Sequence, residues 1–186
     1  MQPEAPVDVR VVSRSAEEVH IQWDAPYDMG GATSLLYDLF VGEQEFIDWN
    51  ETSVNVTGLE VGDVYSIRVI AKNQDYSSEE ASIEFTYLIT PSVPLNLHEV
   101  TNSRTNDSLE LEWNPPLENG GGNLTYTVYM TYCSFKNEPV IMLLSSLETT
   151  ENSLIWPGLR IGLCYRFDIT ARNDFAESEP SEGLTL

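Results

Sequence analysis

Apolar and polar residues alternate along short stretches of this chain, and the same alternation returns about ninety residues later. Residues 19–24 carry an apolar side chain at every second position and stop at Pro26, and residues 109–114 repeat this pattern before Pro116. Such a period of two is typical of a β-strand with one buried face, and proline, which lacks an N–H group, ends the ladder of hydrogen bonds. We therefore predict two matching strands, with Trp23 and Trp113 facing inward.

Two further pairs of alternating stretches follow in the same order in each half of the chain. All of them are short and bounded by Gly, Pro, Asn or Asp, and no stretch shows a helical period. The predicted fold class is therefore all-β. The inward positions are predicted to be Tyr37, Leu39, Val41, Val54 and Val56 in the first half, matched by Tyr126, Val128, Met130, Leu154 and Trp156 in the second.

A turn motif of seven residues also occurs twice. Residues 59–65 read Leu-Glu-Val-Gly-Asp-Val-Tyr, and residues 159–165 read Leu-Arg-Ile-Gly-Leu-Cys-Tyr. A Leu-x-x-Gly-x-x-Tyr turn that leads into an alternating strand is typical of the tyrosine corner of a β-sandwich, in which the hydroxyl is tied to backbone a few residues upstream. The duplication predicts two domains, at residues 1–89 and 90–186.

Five landmarks recur in order in both halves: Trp-x-x-Pro, Gly-Gly, Tyr, Leu-x-x-Gly-x-x-Tyr and Ala-x-Asn, and the second half closes on Ser-Glu-Pro-Ser at 178–181. This pattern resembles the fibronectin type III domain, present twice and covering nearly the whole chain. The resemblance implies two immunoglobulin-like, seven-stranded β-sandwiches in tandem, each with strands A-B-E in one sheet and C′-C-F-G in the other. Residues 73–80 lack the usual Gly and Pro, so the resemblance does not predict the conformation of the last loop of the first copy.

The chain is strongly acidic, with 30 acidic against 9 basic residues and a formal net charge of −21. Such a charge argues against binding to nucleic acid or to an anionic membrane surface, and a solvated acidic surface is its plainest interpretation. No apolar run has the length of a membrane span, so we expect no direct membrane insertion. No leader pattern precedes Gln2, and we expect Met1 to be an added start residue that carries no information about localisation.

Residues for catalysis are scarce. The chain has two histidines, of which His20 is predicted to point outward, and its two cysteines stand 31 positions apart with no Cys-x-x-Cys motif. Neither a nucleophile with its base nor a thiol–histidine metal site can be assembled from this set. We expect no enzyme activity, no cofactor and no metal site.

The implied topology, in which strands C and F are antiparallel neighbours, predicts where the two cysteines lie relative to each other. A register that sets Tyr126 opposite Ala171 also sets Cys133 opposite Cys164, on the outer side of the sheet. Directly opposed residues in an antiparallel ladder lie within disulfide reach. We predict a Cys133–Cys164 disulfide, which indicates an oxidising compartment; two free thiols are the alternative.

Four Asn-x-Ser/Thr sequons are glycosylation candidates, and all are expected at loops or strand ends. The sequons lie at Asn50, Asn55, Asn106 and Asn123. Chance explains their number about as well as a function in glycosylation does. Together with the cysteines, the sequons favour an extracellular location.

The same register in the first domain predicts an apolar stripe on the outer face of its C and F strands. The outward pairs are Leu36 with Lys72, Asp38 with Ile70, and Phe40 with Arg68, whereas the matching face of the second domain is predicted to be polar. Exposed apolar clusters often mark interfaces, and the basic residues would orient an acidic partner. The alternative is that the last strand or a neighbouring molecule covers the stripe. The protein-binding candidates are Leu36, Phe40, Arg68 and Ile70. The second choice is Tyr27, Met29 and Tyr76, in two loops that the family topology implies lie together at the N-terminal pole of the domain.

The leading hypothesis is a non-enzymatic protein-binding and spacer segment from the extracellular region of a cell-surface receptor or adhesion protein. Its partner would be a protein ligand or neighbouring repeats of the same chain. The fold class carries most of this hypothesis. An intracellular structural scaffold is the alternative, because Pro-x-x-x-Gly-Gly also resembles repeats of giant muscle proteins, and an unrecognised enzyme comes third.

Overall fold

Fourteen β-strands make up the regular structure of residues 1–133 and 143–186, which are the residues that the computed structural model describes. They divide into two units, Met1–Ile89 and Thr90–Leu186. The first unit contains β1 (Val7–Arg14), β2 (Glu18–Asp24), β3 (Leu36–Val41), β4 (Gln44–Trp49), β5 (Ser53–Thr57), β6 (Val64–Lys72) and β7 (Ser77–Thr86). The second contains β8 (Leu95–Glu99), β9 (Ser108–Asn114), β10 (Thr125–Tyr132), β11 (Leu143–Thr149), β12 (Ser153–Pro157), β13 (Tyr165–Arg172) and β14 (Leu184–Thr185).

Each unit is a sandwich of a three-stranded and a four-stranded antiparallel sheet. The first unit has the orders β1-β2-β5 and β4-β3-β6-β7, and the second has β8-β9-β12 and β11-β10-β13-β14. Both sheets of each unit contribute to one shared apolar core. The all-β fold class and the implied partition of the strands between the sheets are confirmed.

The core holds the inward members of the alternating stretches. Trp23 and Trp113 are almost fully buried, and each indole meets a tyrosine ring of the facing sheet at an edge-on angle, with 5.5 Å between the ring centroids. Neither indole N–H has a hydrogen-bond partner among the described residues. Met130 and Leu154 were also expected inside, but they are only half-buried and pack against the margin of the core.

The register between strands C and F is confirmed in both units. Tyr37 opposes Ala71 in the pairing of β3 with β6, and Tyr126 opposes Ala171 in the pairing of β10 with β13. The neighbouring inward pairs, among them Leu39 with Val69, are fully buried. The outward residues of these strands therefore stand opposite the partners that the sequence predicted.

The loop at residues 73–80, for which no conformation was predicted from the sequence, begins with the same backbone turn as its counterpart in the second unit. Asn73 N–H donates to the Tyr76 carbonyl at 3.0 Å, and Asn173 N–H donates to the Ala176 carbonyl at 3.1 Å. The Asn73 side-chain oxygen also accepts from Tyr76 N–H at 2.9 Å, as Asn173 does from Ala176 N–H. An Asn side chain can hold such a turn without Gly or Pro, since it bonds to backbone a few residues on.

Both tyrosine corners are formed. The Tyr65 hydroxyl oxygen accepts a hydrogen bond from Glu60 N–H at 2.8 Å, and the Tyr165 oxygen accepts one from Arg160 N–H at 2.9 Å. Gly42, in the turn between β3 and β4, has φ of 56°, and an added Cβ there would lie 3.1 Å from the Tyr65 ring. Glycine therefore suits both the left-handed conformation and the packing of the corner.

We predict that Tyr65→Phe and Tyr165→Phe each lower the free energy of unfolding of their unit by about 1 kcal/mol, because each removes one hydrogen bond and keeps the ring. The larger loss is expected for Tyr165→Phe, whose hydrogen bond is partly buried while that of Tyr65 is exposed. Urea denaturation of both variants checks this prediction. Tyr27→Phe, at a fully solvated ring, is the control and should leave stability unchanged. If both corner variants unfold at the same urea concentration as the wild type, neither hydroxyl contributes to stability.

Candidate protein-binding face and disulfide

The predicted stripe is assembled on the outer face of the four-stranded sheet of the first unit. Leu36 is 40% exposed, while Phe40 and Ile70 are half-buried. The guanidinium carbon of Arg68 lies 4.9 Å from the centre of the Phe40 ring, so the two side chains form a cation–π pair across β3 and β6. We call Leu36, Phe40, Arg68 and Ile70 the outer stripe.

Both basic residues of this face are paired with carboxylates. Lys72 Nζ lies 2.6 Å from Asp38 Oδ1 and 2.7 Å from Asp48 Oδ1, and Arg68 Nη1 lies 3.7 Å from Glu80 Oε2. Burial would lower the pKa of Lys72, but the hydrogen bonds and charges of the two aspartates outweigh it and raise that pKa. Carboxylates of this chain therefore already pair with both basic residues, and the expectation that Arg68 and Lys72 orient an acidic partner stays a prediction.

The carboxylates that complete the face were not found from the sequence. Asp48 has a positive φ of 55° beside an irregularity in the pairing of β3 with β4, and its N–H donates to Asp38 Oδ1 at 3.0 Å. Glu80 stands opposite Ile70 on β7. The strand β7 runs beside β6 in the same sheet, so the alternative in which the last strand covers the stripe does not hold.

The matching face of the second unit is polar, as expected, but part of it is covered. Thr127 and Thr170 are buried. The Tyr129 hydroxyl donates to Glu177 Oε1 at 3.0 Å, and the Thr170 hydroxyl donates to the same oxygen at 2.5 Å. Burial, together with the Glu177 carboxylate, raises the pKa of Tyr129. This face offers less open surface than the outer stripe.

The second-choice residues are not equivalent. Tyr27 is 91% exposed and Tyr76 is 54% exposed, so both rings are accessible. Met29 is half-buried and packs against the core, and its carbonyl accepts a hydrogen bond from Asn73 Nδ2 at 3.5 Å. The two tyrosines are thus the more accessible of these candidates, and Met29 is as half-buried as Phe40 and Ile70 of the outer stripe.

The cysteines are joined in a disulfide at the ends of β10 and β13. The Cα atoms of Cys133 and Cys164 are 5.3 Å apart, and Cys133 N–H donates to the Cys164 carbonyl at 3.0 Å. The bond thus continues the register of the two strands by one further pair.

A family model of the fibronectin type III domain matches residues 4–86 and 92–185. The chain belongs to the fibronectin type III family. A solved two-domain type III segment of chicken tenascin has the same fold, with a TM-score of 0.52 and 20% identity over 97% of this chain and 98% of that segment.

The curated relatives that match this chain are much longer proteins. A Kelch domain-containing protein of Saccharolobus solfataricus is 30% identical over 96% of the chain, and the match covers 23% of that protein. The titin homolog of Caenorhabditis elegans is 30% identical over 68% of the chain and 1% of its own length. Protein sidekick-1 of Gallus gallus is 29% identical over 64% of the chain and 6% of its own length. The chain therefore spans less than a quarter of each of these relatives.

All four sequon asparagines of the type III tandem are exposed. Asn50, Asn106 and Asn123 lie outside the strands, as expected, but Asn55 lies in the middle of β5. Its side chain points outward because the residues on either side, Val54 and Val56, face the core. The Asn55 side-chain oxygen lies 2.5 Å from Nδ1 of His20 on the neighbouring strand.

Within residues 1–133 and 143–186, no group of three or more His, Cys, Asp or Glu side chains is placed to hold a metal ion. The same part of the chain contains no helix with the length and apolarity of a membrane span. Tyr126 and Tyr165 are 11 positions further apart than Tyr37 and Tyr65, and the sequence predicts that the extra residues lengthen a hairpin around residues 139–144. Of these, residues 139–142 lie outside the described residues, and β11 begins at Leu143.

We predict that the double variant Cys133→Ser, Cys164→Ser lowers the free energy of unfolding of the second unit by about 3 kcal/mol, since it frees a loop of 31 residues in the unfolded chain. Denaturation of wild type and variant, each with and without reductant, checks this prediction. Reductant should lower the free energy of unfolding of the wild-type second unit to that of the variant. It should leave the stability of the variant and of the first unit unchanged. Equal stability of the oxidised and reduced wild type would contradict it.

Proposed function

We propose that this tandem is a non-enzymatic protein-binding and spacer segment from the extracellular region of a cell-surface receptor or adhesion protein. The observation that carries the proposal is the outer stripe, in which Phe40 and Arg68 stack on an otherwise acidic surface. Aromatic residues and arginine dominate the energetic centres of protein interfaces.

The stripe suits binding because its anchors are already held in place. Arg68 is held between the Phe40 ring and the Glu80 carboxylate, so less side-chain freedom is lost when a partner docks. Its charged surroundings are Asp38, Asp48 and Glu80 against Arg68 and Lys72. A partner that combines an apolar anchor with flanking basic groups complements this face.

The extracellular location is supported by the disulfide and the sequons. Disulfides persist in oxidising compartments and are rare in the reducing cytosol. All four sequon asparagines are exposed, which is a requirement for glycosylation. The non-enzymatic role is supported by the family and by the histidines, which face outward toward Asn55 and Glu112 instead of a nucleophile.

An intracellular structural scaffold is the second candidate function, favoured by the match to the titin homolog. The two functions differ in the state of the cysteines, because a reducing compartment keeps thiols free.

We expect cells to attach to surfaces coated with the wild-type chain, and we expect Phe40→Ala or Arg68→Glu to reduce attachment at least fivefold without changing the melting temperature. The physical reason is the loss of the central anchor or the reversal of its charge. Arg166→Glu is the matched control, because Arg166 lies on the outer face of the second unit, is 50% exposed and is also paired with an acid.

Attachment that survives both stripe variants but is lost in Tyr27→Ala or Tyr76→Ala would move the binding surface to the loops. No attachment to the wild-type chain would overturn the adhesion role.

The thiol state of protein taken from its native source separates the two locations. We expect no alkylation of Cys133 or Cys164 before reduction and full alkylation of both afterwards, as measured by mass spectrometry of the intact chain. Two thiols that react without reductant would favour the intracellular scaffold.

A further inference from the structure

The outer face of the first unit carries a further exposed apolar side chain, Ile47 on β4, which lies outside the outer stripe. Phe46 and Trp49 both pack against the core, and their ring centroids lie 6.1 Å apart. The two residues between them, Ile47 and Asp48, are exposed, Ile47 by 50%. Because an inward residue stands on either side of this pair, both of its side chains face the outer side of the sheet.

The irregular pairing of β3 with β4 causes this arrangement. The register shifts between Tyr37 and Leu39, so that Asp38 of β3 faces both Ile47 and Asp48 of β4. A bulge of this kind aims side chains in a new direction and is frequent beside functional sites. Along the matching stretch of the second unit, β10 and β11 keep one register. The second outward residue is therefore a feature of the first unit.

Ile47 extends the apolar surface of the outer stripe across the sheet. The strand order β4-β3-β6-β7 sets Ile47 at one margin, Phe40 on the next strand and Ile70 on the third. Ile47 and Ile70 lie on either side of Asp38, whose carboxylate is paired with Lys72, and Phe40 lies in the next row. The apolar surface thus spans three neighbouring strands.

Exposed carboxylates line both margins of this surface. The basic residues Arg68 and Lys72 stand on β6, within the sheet, and are already paired with acids. The acids of the margins therefore favour basic groups on a partner, because complementary charges orient two proteins as they meet. The marginal carboxylates are Glu45 and Asp48 on β4, and Glu80 and Glu84 on β7.

The width of the surface suits an α-helix. Four neighbouring strands span about 14 Å, and a helix with its side chains is about 10–12 Å wide. The apolar face of an amphipathic helix can cover the outer stripe and Ile47, while lysine or arginine on its two flanks reach the carboxylates at the margins. The six residues of β3 extend about 20 Å, which corresponds to about thirteen helical residues.

An extended segment fits this surface less well. The side chains of a strand point toward or away from the sheet on which it lies, so a single strand does not carry basic groups to both margins. Addition of a strand at the outer edge of β4 is hindered by the bulge at Asp48, since bulges protect sheet edges from pairing.

We propose that the outer stripe, Ile47 and the marginal carboxylates form a docking face for a basic amphipathic helix of a partner protein. This proposal rests on the proposed function, because it names the class of partner that the same face binds. Ile47 is the anchor at the β4 margin, and Asp48 is the acid beside it that meets a basic flank of the helix.

The test uses the full chain and two synthetic peptides of identical composition, made of leucine, lysine and alanine. In one peptide leucine recurs at i, i+3, i+4 and i+7, and in the other leucine has a period of two. We expect the helical-period peptide to bind about tenfold more tightly in isothermal titration calorimetry, since both an apolar face and basic flanks are then matched. It should shift amide NMR resonances of β3, β4 and β6.

Equal affinities of the two peptides would show attraction by charge alone and would overturn the proposal. Tighter binding of the period-two peptide would overturn it in favour of strand addition. NMR shifts confined to other surfaces would overturn it as well.

Two variants test the individual contacts. Ile47→Ala should weaken binding of the helical-period peptide about tenfold, because it removes the marginal anchor. Asp48→Asn should weaken binding and reduce its dependence on salt, since Asn also tolerates the positive φ of this position and only the charge is lost. Ile155→Ala is the matched control, at an exposed isoleucine on the three-stranded sheet of the second unit. An Ile47→Ala affinity equal to that of Ile155→Ala would overturn the proposal.

Cell attachment separates this proposal from the proposed function. If Phe40→Ala abolishes attachment while the two peptides bind equally, the helical partner is overturned and the binding role of the outer stripe stands. If the helical-period peptide binds as expected while cells do not attach to the wild-type chain, the docking face stands and the adhesion role is overturned.

Discussion

Antiparallel pairing between strands C and F is the constraint on which the candidate sites of both units depend. The inward pairs, such as Leu39 with Val69 and Val128 with Ile169, are fully buried. A shift by one residue would turn every such side chain to solvent, so burial holds the register. The register in turn sets Cys133 opposite Cys164 and Phe40 opposite Arg68. The disulfide and the outer stripe are thus consequences of core packing on the other side of the same sheets.

The two units share their core and their corners and differ in the last strand. In the first unit β7 is ten residues long and pairs with β6, whereas β14, which pairs with β13, is only two residues long. Before β14, the Ser181 hydroxyl oxygen accepts from Ile169 N–H in place of a strand carbonyl. The Ser178 hydroxyl does the same for Ala171 N–H, as Ser78 does for Ala71 N–H in the first unit. The irregular segment brings Glu177 to the outer face of the second unit, and the corresponding face of the first unit stays open. The proposed binding surface and the disulfide therefore fall on different units.

A strongly acidic chain does not make every surface simply acidic. On the outer face of the first unit, each basic side chain is drawn to carboxylates of its own sheet, and the ion pairs at Lys72 are the shortest of that face. Such exposed or half-exposed pairs contribute little to stability, but they place a carboxylate beside each basic group. The outer face of the first unit is therefore an apolar stripe flanked by ion pairs. The net charge alone would predict a uniformly acidic surface.

The sequence by itself determined the B, C, E and F strands, most of their inward faces, the tyrosine corners and the C–F register. Each of these depends on a local signal: an alternation of apolar and polar residues, a turn residue or a repeated motif. Only the tertiary structure decided the contacts that depend on irregular backbone or on chain segments far apart. The bulge at Asp48 brought a second carboxylate to Lys72, and the long β7 placed Glu80 beside Arg68. Asn55 was expected at a strand end and lies within β5, since strand ends depend on the pairing partner. The burial of Tyr87 likewise required the fold, because its hydroxyl acceptor lies 72 residues away at Ser15.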